Sequence, residues 1–240
     1  MSRLVIFDLD GTLVDSNRDL VPALNRTIAS EGLAPLALGD VGHVVGKGAL
    51  EMLRRAYRFQ GRDVDETRVR ALLPVFIEHY EAHIADETVF FPGALAALDT
   101  LAARGWRLAV CTNKFEHLAR RLLDALGETH RFHAVTGGDT FSVRKPDPGH
   151  LIETALLAGV EPTRCVMVGD TDNDILAAQA APMPVIGATF GYTETPVSHF
   201  SPTALFDHFD ELPQIIAQVW DAGRGKVVGD TGIEPVTPSV

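Results

Sequence analysis

The sequence is poor in cysteine and in basic residues. Its two cysteines, Cys111 and Cys165, lie inside apolar stretches, which indicates buried thiols in a reducing compartment and not a disulfide framework. Lysine and arginine total 21 against 32 aspartates and glutamates, a formal net charge of −11. This balance argues against a surface for nucleic acid or for an anionic membrane. It permits a cluster of carboxylates that holds a divalent cation.

Long apolar segments are also missing. Nowhere do about 18 apolar residues follow one another, so the sequence predicts no membrane span. Five residues of strand-like sequence run directly into Asp8, which predicts no secretory signal. Hydrophobic residues make up 46% of the chain and charged residues 22%, which excludes a largely disordered protein. We therefore expect a soluble, cytoplasmic protein.

Short apolar runs alternate with helical stretches through most of the chain. The runs are rich in β-branched residues, as in strands buried on both faces, and they lie at 4–7, 108–111, 133–136, 165–168 and 184–186. After position 90, apolar spacing predicts helices at 93–104, 117–126 and 148–158. Strands alternating with helices of this length imply right-handed βαβ units. The sequence predicts an α/β fold with a Rossmann-like parallel sheet.

The gap between the first two predicted strands is too long for a single crossover helix. Residues 15–85 show only helical patterns, at 18–30, 49–59 and 66–83, which predicts a small helical cap inserted after the first strand. The α/β core would then comprise residues 1–14 and 86–220. From 221 to 240 the composition changes to Gly, Pro, Thr and Val without periodicity, which predicts a disordered tail.

The first predicted strand leads directly into a pair of carboxylates. Asp8 and Asp10 are two residues apart in an extended stretch, and Gly11 allows a sharp turn after them. Ligands of open α/β sheets bind at the carboxyl ends of the strands. Two carboxylates this close repel each other unless a cation or a proton compensates. The alternative is a pair of solvated turn residues.

Three later segments also carry polar groups next to predicted strands or helices. Residues 112–114, Thr-Asn-Lys, combine a hydroxyl, an amide and main-chain N–H groups that suit a phosphate, although the same triplet suits an ordinary turn. Lys145 precedes a helix in a loop fixed by two prolines, where its ammonium could neutralise a phosphoryl group or remain solvated. After a further strand, Asp170 and Asp174 are spaced to share a helical face, whereas Asp172 lies off that face.

Together these segments resemble the haloacid dehalogenase-like superfamily, and within it the phosphoglycolate phosphatase-type enzymes. The matching motifs occur in the family's order, and the resemblance runs from about residue 3 to 215: Asp8-Leu9-Asp10-Gly11-Thr12, Thr112-Asn113-Lys114, Lys145-Pro146-Asp147-Pro148 and Gly169-Asp170-Thr171-Asp172-Asn173-Asp174. Each motif alone is weak, but the ordered set is specific. Gly191-Tyr192 also resembles the phosphoglycolate-phosphatase group and is expected at the rim of the site.

The resemblance implies a mechanism and a role for each matching residue. Asp8 would be the nucleophile that forms an aspartyl-phosphate, and Asp10 the acid and then the base. Asp8, Asp170 and the main-chain carbonyl of Asp10 would bind Mg²⁺, with Asp174 acting through a water or a hydrogen bond. The groups that bind the phosphoryl oxygens would come from Thr112, Asn113 and Lys145.

The resemblance also implies that the helical insertion closes over the site. Within it, Lys47 stands between Gly46 and Gly48, so its loop is a candidate substrate contact. The alternative is a helix-linking turn with a solvated lysine. The expected substrate is a small phosphorylated metabolite, and 2-phosphoglycolate is the first candidate.

Other functions remain open from the sequence. A pyrophosphatase, another phosphomonoesterase or a sugar phosphomutase could use the same motifs. A dehalogenase is disfavoured because that reaction has no use for Asp10 or for Mg²⁺ ligands. A phospho-accepting signalling receiver also combines Asp, Thr and Lys on a parallel sheet, but receivers are about half this length and place the acceptor after an internal strand. A further alternative is a protein that only binds its ligand, which would show no turnover of a phosphoester in the presence of Mg²⁺.

Overall fold

A parallel sheet forms the centre of the molecule. The computed structural model describes residues 2–41, 45 and 47–225. Within them the strands are β1 (Arg3–Phe7), β2 (Val14–Asp15), β3 (Val89–Phe90), β4 (Trp106–Cys111), β5 (Ala134–Thr136), β6 (Cys165–Gly169), β7 (Val185–Ala188) and β8 (Ala204–Phe206). All except β2 and β3 join one parallel sheet in the order β5-β4-β1-β6-β7-β8. The predicted Rossmann-like α/β fold is confirmed.

Strand β1 lies between β4 and β6, and both of its faces are covered. Because side chains alternate along a strand, Val5 and Phe7 pack into one apolar cluster and Leu4 and Ile6 into another. All four side chains are fully buried. Burial on both faces explains why the strand reads as a continuous apolar run.

Helices cover both faces of the sheet. The described helices are α1 (Asn17–Ala29), α2 (Leu38–Val41), α3 (Ala49–Phe59), α4 (Glu66–Glu81), α5 (Ala94–Ala103), α6 (Glu116–Ala125), α7 (Pro148–Leu157), α8 (Asp172–Ala180) and α9 (Leu212–Gly225). Buried residues of α7 and α8 join the cluster that contains Ile6, and those of α5, α6 and α9 join the cluster that contains Phe7. None of these described helices has both the length and the apolar character that a membrane crossing requires.

Helices α1 to α4, which we call the helical insertion, lie between β2 and β3. These two short strands pair antiparallel, with Val14 opposite Phe90. Asp19 in α1 accepts hydrogen bonds from the main-chain N–H groups of Glu87 and Thr88 and from the Thr88 hydroxyl, at 2.6–3.1 Å. The chain therefore leaves and re-enters the core at adjacent points. The exact division into cap and core at residue 15 and residue 85 stays a prediction.

The C-terminal helix extends further than the sequence pattern indicates. Helix α9 runs to Gly225, so the first five residues of the segment predicted as a tail are helical, and residues 226–240 lie outside the described residues. Ile216 and Trp220 of α9 pack into the core, and the helix continues for one turn beyond Trp220. The change in composition at Asp221 therefore does not mark the end of the helix.

Candidate active site

Three adjacent strands end at the proposed site. Asp8 follows β1, Thr112 follows β4 and Asp170 follows β6. The main-chain ladder continues past the strand ends, because the N–H of Asp8 donates to the carbonyl of Val168 at 2.9 Å and that of Thr112 to the carbonyl of Thr136 at 3.0 Å. The hydrogen bonding of the sheet therefore extends to the backbone of Asp8 and Thr112.

Three carboxylates converge at this edge. One oxygen from each of Asp8, Asp170 and Asp174 lies within 4.8 Å of the others, and all three residues are buried. Asp170 is held from two sides, by the Thr12 hydroxyl at 2.6 Å and by the main-chain N–H of Tyr192 at 2.7 Å. The predicted contact of the Gly191-Tyr192 segment with the site is thus a hydrogen bond to Asp170.

Two glycines allow the backbone to approach Asp170. Gly11 has a φ of +86°, and a Cβ there would lie 2.6 Å from Asp170 Oδ2. A Cβ at Gly191 would lie 2.1 Å from the Asp170 Cβ. Both distances are far below van der Waals contact, so any side chain at either position would displace the carboxylate.

Lys145 is buried between two of the carboxylates. Its Nζ lies 3.0 Å from Asp8 Oδ1 and 2.6 Å from Asp174 Oδ1, and it also donates to the carbonyl of Cys111 at 2.6 Å. The other oxygen of Asp174 accepts hydrogen bonds from the N–H and the hydroxyl of Thr171, which caps α8. Asp174 therefore joins the start of α8 to the ammonium group beside Asp8.

Asp10 has its own hydrogen-bond partners. Its carboxylate accepts from Ser16 Oγ at 2.5 Å and from Lys114 Nζ at 2.9 and 3.0 Å. Ser16 is the N-cap residue of α1, but its hydroxyl bonds to Asp10 and not to a helix N–H. Lys114 Nζ also lies 4.5 Å from the ring centre of Tyr80, which belongs to α4. The core and the insertion thus meet directly at Asp10.

The buried charges around Asp8 do not balance among themselves. Four carboxylates (Asp8, Asp10, Asp170 and Asp174) face two ammonium groups (Lys114 and Lys145), which leaves a formal charge of −2. Burial raises the pKa of Asp8 to about 7, an effect that Lys145 only partly offsets. Burial and the neighbouring carboxylates also hold the pKa of Asp170 well above its usual range. The cluster, made only of hard oxygen donors with an excess of negative charge, fits a divalent metal ion.

Thr112 and Asn113 begin the loop beside this cluster. The Thr112 hydroxyl accepts the main-chain N–H of Lys114 at 3.2 Å. Asn113 Nδ2 donates to the carbonyl of Lys145 at 3.0 Å, and its Oδ1 is buried without a partner among the described residues. The structure therefore places both residues at the site. Their role in substrate binding stays a prediction.

Lys47 does not join the groups around Asp8. Its Nζ lies 3.4 Å from Asp172 Oδ2, and its side chain is 43% exposed. It lines a shallow depression shared with Tyr192 and Glu194, while Gly46, its glycine neighbour in the motif, lies outside the described residues. The substrate contact predicted for Lys47 requires this ion pair to break.

A cavity separates the core from the insertion. Its core wall carries the polar residues Asp10, Asn113, Lys114 and Arg144, together with apolar side chains of α6. The insertion contributes an apolar wall that includes Leu20, Met52, Phe76 and Tyr80. Asp10 lines this cavity, and both the core and the insertion contribute to its wall.

Several residues that lie at the site were not predicted from the sequence to have a role there. Lys114 belongs to the Thr-Asn-Lys motif, so its place beside Thr112 and Asn113 could have indicated that it lies at the site. Thr12 and Ser16 lie close after the acid pair, but a hydroxyl at these positions reads equally well as a turn or a helix cap. Tyr80 and Arg144 carried no motif signal, because their proximity to the site depends on how the insertion and the loop before α7 fold.

Buried carboxylates at the carboxyl edge of a parallel sheet, in excess of the ammonium groups beside them, are typical of an enzyme site. In agreement with this, residues 2–182 match the haloacid dehalogenase-like hydrolases, which is more than half of the chain. The chain belongs to this family. The resemblance noted from the sequence is confirmed, and the signalling receiver is no longer an alternative.

Curated relatives share most of the chain's length. A protein named phosphoglycolate phosphatase from Agrobacterium fabrum is 48% identical over 212 residues, which cover 88% of this chain and 91% of the relative. A protein of the same name from Mesorhizobium japonicum is 42% identical over 91% of this chain and 96% of its own length. The crystal structure of a predicted phosphoglycolate phosphatase from Haemophilus somnus superposes with a TM-score of 0.82 at 30% identity, covering 90% of this chain and 98% of that one.

Proposed function

We propose that this hydrolase is a Mg²⁺-dependent phosphatase that converts 2-phosphoglycolate to glycolate and inorganic phosphate. The observation that carries the proposal is the buried carboxylate Asp8, held at the end of β1 with Lys145 Nζ 3.0 Å from its Oδ1. The names of the curated relatives support the substrate. The site supports phosphoryl transfer because that reaction depends mainly on alignment and charge neutralisation.

In this proposal Asp8 is the nucleophile. One of its oxygens attacks phosphorus, the bond from phosphorus to the ester oxygen breaks, and an aspartyl-phosphate forms. Asp8 must be ionised to react, and the Lys145 ammonium favours the ionised form against the effect of burial. Water then attacks the phosphorus of the aspartyl-phosphate, which releases phosphate and restores the carboxylate.

Asp10 handles the protons of both steps. It donates a proton to the departing alkoxide of glycolate, and it then accepts a proton from the attacking water. Lys114 and Ser16 hold its carboxylate at the wall of the cavity. Because Asp10 lines this cavity, we expect it to act between the reacting phosphorus and the space that receives the rest of the substrate.

The metal would be held by Asp8, Asp170 and the main-chain carbonyl of Asp10. When bound, Mg²⁺ supplies positive charge that stabilises the phosphoryl oxygens. Asp174 is less suited to direct coordination, because its two oxygens already accept hydrogen bonds from Thr171 and Lys145. Its contribution is to hold Lys145 in place. Thr112, Asn113 and Lys145 would bind the phosphoryl oxygens.

A panel of phosphate compounds tests this proposal. The purified protein should hydrolyse 2-phosphoglycolate with a higher kcat/KM than pyrophosphate or hexose phosphates, and EDTA should abolish turnover until excess Mg²⁺ is restored. A preference for pyrophosphate or a hexose phosphate would overturn the substrate. Full activity after exhaustive chelation would overturn the metal requirement.

A further inference from the structure

Arg144 immediately precedes Lys145, but the two side chains lie in different environments. Lys145 is buried against Asp8 and Asp174, whereas Arg144 is exposed and lines the cavity between the core and the insertion. Its guanidinium approaches the start of α3, where a methyl group added at Gly48 would lie 3.9 Å from Arg144 Nη1. The side chain therefore stands at the mouth of the cavity where the two parts of the molecule meet.

The guanidinium of Arg144 has no hydrogen-bond or ion-pair partner among the described residues. Among the arginines whose side chains the structure describes, Arg26 alone shares this property, and the others are bound to carboxylates, carbonyls or aromatic rings, as Arg54 is to Glu66 and Arg107 to the carbonyl of Ala158. A chain with 32 acidic and 21 basic residues offers many carboxylates. An unpaired arginine on the polar wall of this cavity is therefore available to a ligand.

Among the described residues, the groups around Asp8 leave no cation for a second anionic group. A divalent metal ion would balance the formal charge of −2 on the buried groups, and the metal and Lys145 would face the phosphoryl group. The ammonium of Lys114 is bound to both oxygens of Asp10. Lys47 is paired with Asp172 away from this cavity. A carboxylate on the substrate would find its counter-charge at Arg144.

We propose that Arg144 binds the carboxylate of the substrate and so determines the preference for carboxylate-bearing phosphoesters. The inference rests on the proposed function, in which Asp10 faces the ester oxygen. In 2-phosphoglycolate one methylene separates that oxygen from the carboxylate, so the carboxylate enters the cavity that Asp10 and Arg144 both line. The planar guanidinium can bind a carboxylate through two parallel hydrogen bonds.

The test compares 2-phosphoglycolate with ethyl phosphate, in which a methyl group replaces the carboxylate. Arg144→Gln should lower kcat/KM for 2-phosphoglycolate about ten- to hundredfold, as expected for the loss of one charge-assisted contact. It should change kcat/KM for ethyl phosphate less than about twofold, because this substrate never used the contact. Arg144→Lys should retain part of the preference for 2-phosphoglycolate over ethyl phosphate that Arg144→Gln loses. Arg26→Gln, which removes an equally exposed and unpaired arginine outside the cavity, is the matched control.

The outcomes separate the inference from the function on which it rests. If the wild type prefers 2-phosphoglycolate and Arg144→Gln leaves the ratio of kcat/KM for 2-phosphoglycolate to kcat/KM for ethyl phosphate unchanged, the inference alone is overturned. An equal loss in Arg26→Gln, or no recovery in Arg144→Lys, would also overturn it, because the effect would not come from a local positive charge. A wild type that hydrolyses other phosphoesters but not 2-phosphoglycolate would overturn the proposed substrate and the inference together.

Discussion

The two walls of the cavity differ in what holds their residues. On the core wall, Asp10 and Lys114 are fixed by charge-assisted hydrogen bonds and follow strands of the sheet. On the insertion wall, Met52 and Phe76 are held by apolar packing alone, and the buried Tyr80 hydroxyl has no hydrogen-bond partner among the described residues. Directional bonds fix atoms to within tenths of an ångström, whereas apolar packing fixes only volume and shape.

This difference indicates that the two walls have separate roles, one in the chemistry and the other in substrate selection. Chemistry requires positions that do not change from one substrate to the next, and the core wall has them. On the insertion wall, Tyr80 contacts Lys114, which holds Asp10, so the apolar residues free to vary with the substrate are those such as Met52 and Phe76. Arg144 belongs to the core but faces the insertion at Gly48, so on our account selection begins at the border between the two walls.

The largest effect should come from Asp8 on the core side. Asp8→Asn should lower kcat by about 10⁵-fold, because an amide can neither attack phosphorus nor bind a metal ion as well. The loss is measured with 2-phosphoglycolate and saturating Mg²⁺, and circular dichroism checks the fold. Asp172→Asn is the control, since Asp172 is an acidic residue outside the carboxylate cluster. Substantial turnover by Asp8→Asn would remove Asp8 as the nucleophile.

The next largest losses of activity should come from Asp10, the proposed general acid, and from Lys114, which holds its carboxylate. Asp10→Asn should lower kcat for alkyl phosphates by about 10²–10⁴-fold, and for aryl phosphates far less, because an aryl leaving group needs little protonation. Lys114→Met should show the same selectivity at about tenfold, since Asp10 would keep only its hydrogen bond from Ser16.

The ratio of alkyl to aryl turnover distinguishes this role from a structural one. Lys47→Met, which also removes a lysine that pairs with an aspartate, should leave the ratio unchanged. If Lys114→Met slows both classes of substrate equally, the lysine supports the fold or the insertion and does not position Asp10.

The smallest effect should come from Lys47. Lys47→Ala should change the preference for 2-phosphoglycolate over ethyl phosphate by less than about twofold, because Lys47 pairs with Asp172 and does not line the cavity that Asp10 and Arg144 share. A loss of the preference comparable with that expected for Arg144→Gln would show that Lys47 leaves Asp172 and reaches the substrate. The carboxylate contact would then lie on the insertion wall, and the division between the walls would be wrong.

Much of the core side could be predicted from the sequence. Asp8 and Asp170 follow apolar runs that can only be buried strands, and parallel strands bring their carboxyl ends to one edge. The helices at 18–30, 49–59 and 66–83 were also predictable from their periodicity, and α1, α3 and α4 lie there. In these cases local pattern and tertiary packing agree.

The contacts between distant segments could not be predicted. Lys114 lies 34 positions from Tyr80, and Lys47 lies 125 positions from Asp172, so no local pattern links either pair. The strands β2, β3 and β8 have two or three residues each, too few to show a period. The sequence does not distinguish Arg144 from any other surface arginine, because its proposed role depends on its having no ion-pair partner among the described residues.

The central claim is that the carboxylate cluster at the edge of the sheet performs phosphoryl transfer through Asp8. The most direct test uses Asp10→Asn with an aryl phosphate and Mg²⁺, because this substrate forms the phosphoenzyme without an acid and the variant lacks the base that hydrolyses it. Rapid quenching and borohydride reduction convert a phosphorylated aspartate to homoserine, which mass spectrometry locates in the digested protein. The account predicts homoserine at position 8. Homoserine at another aspartate, or none while phosphate is still released, would contradict it.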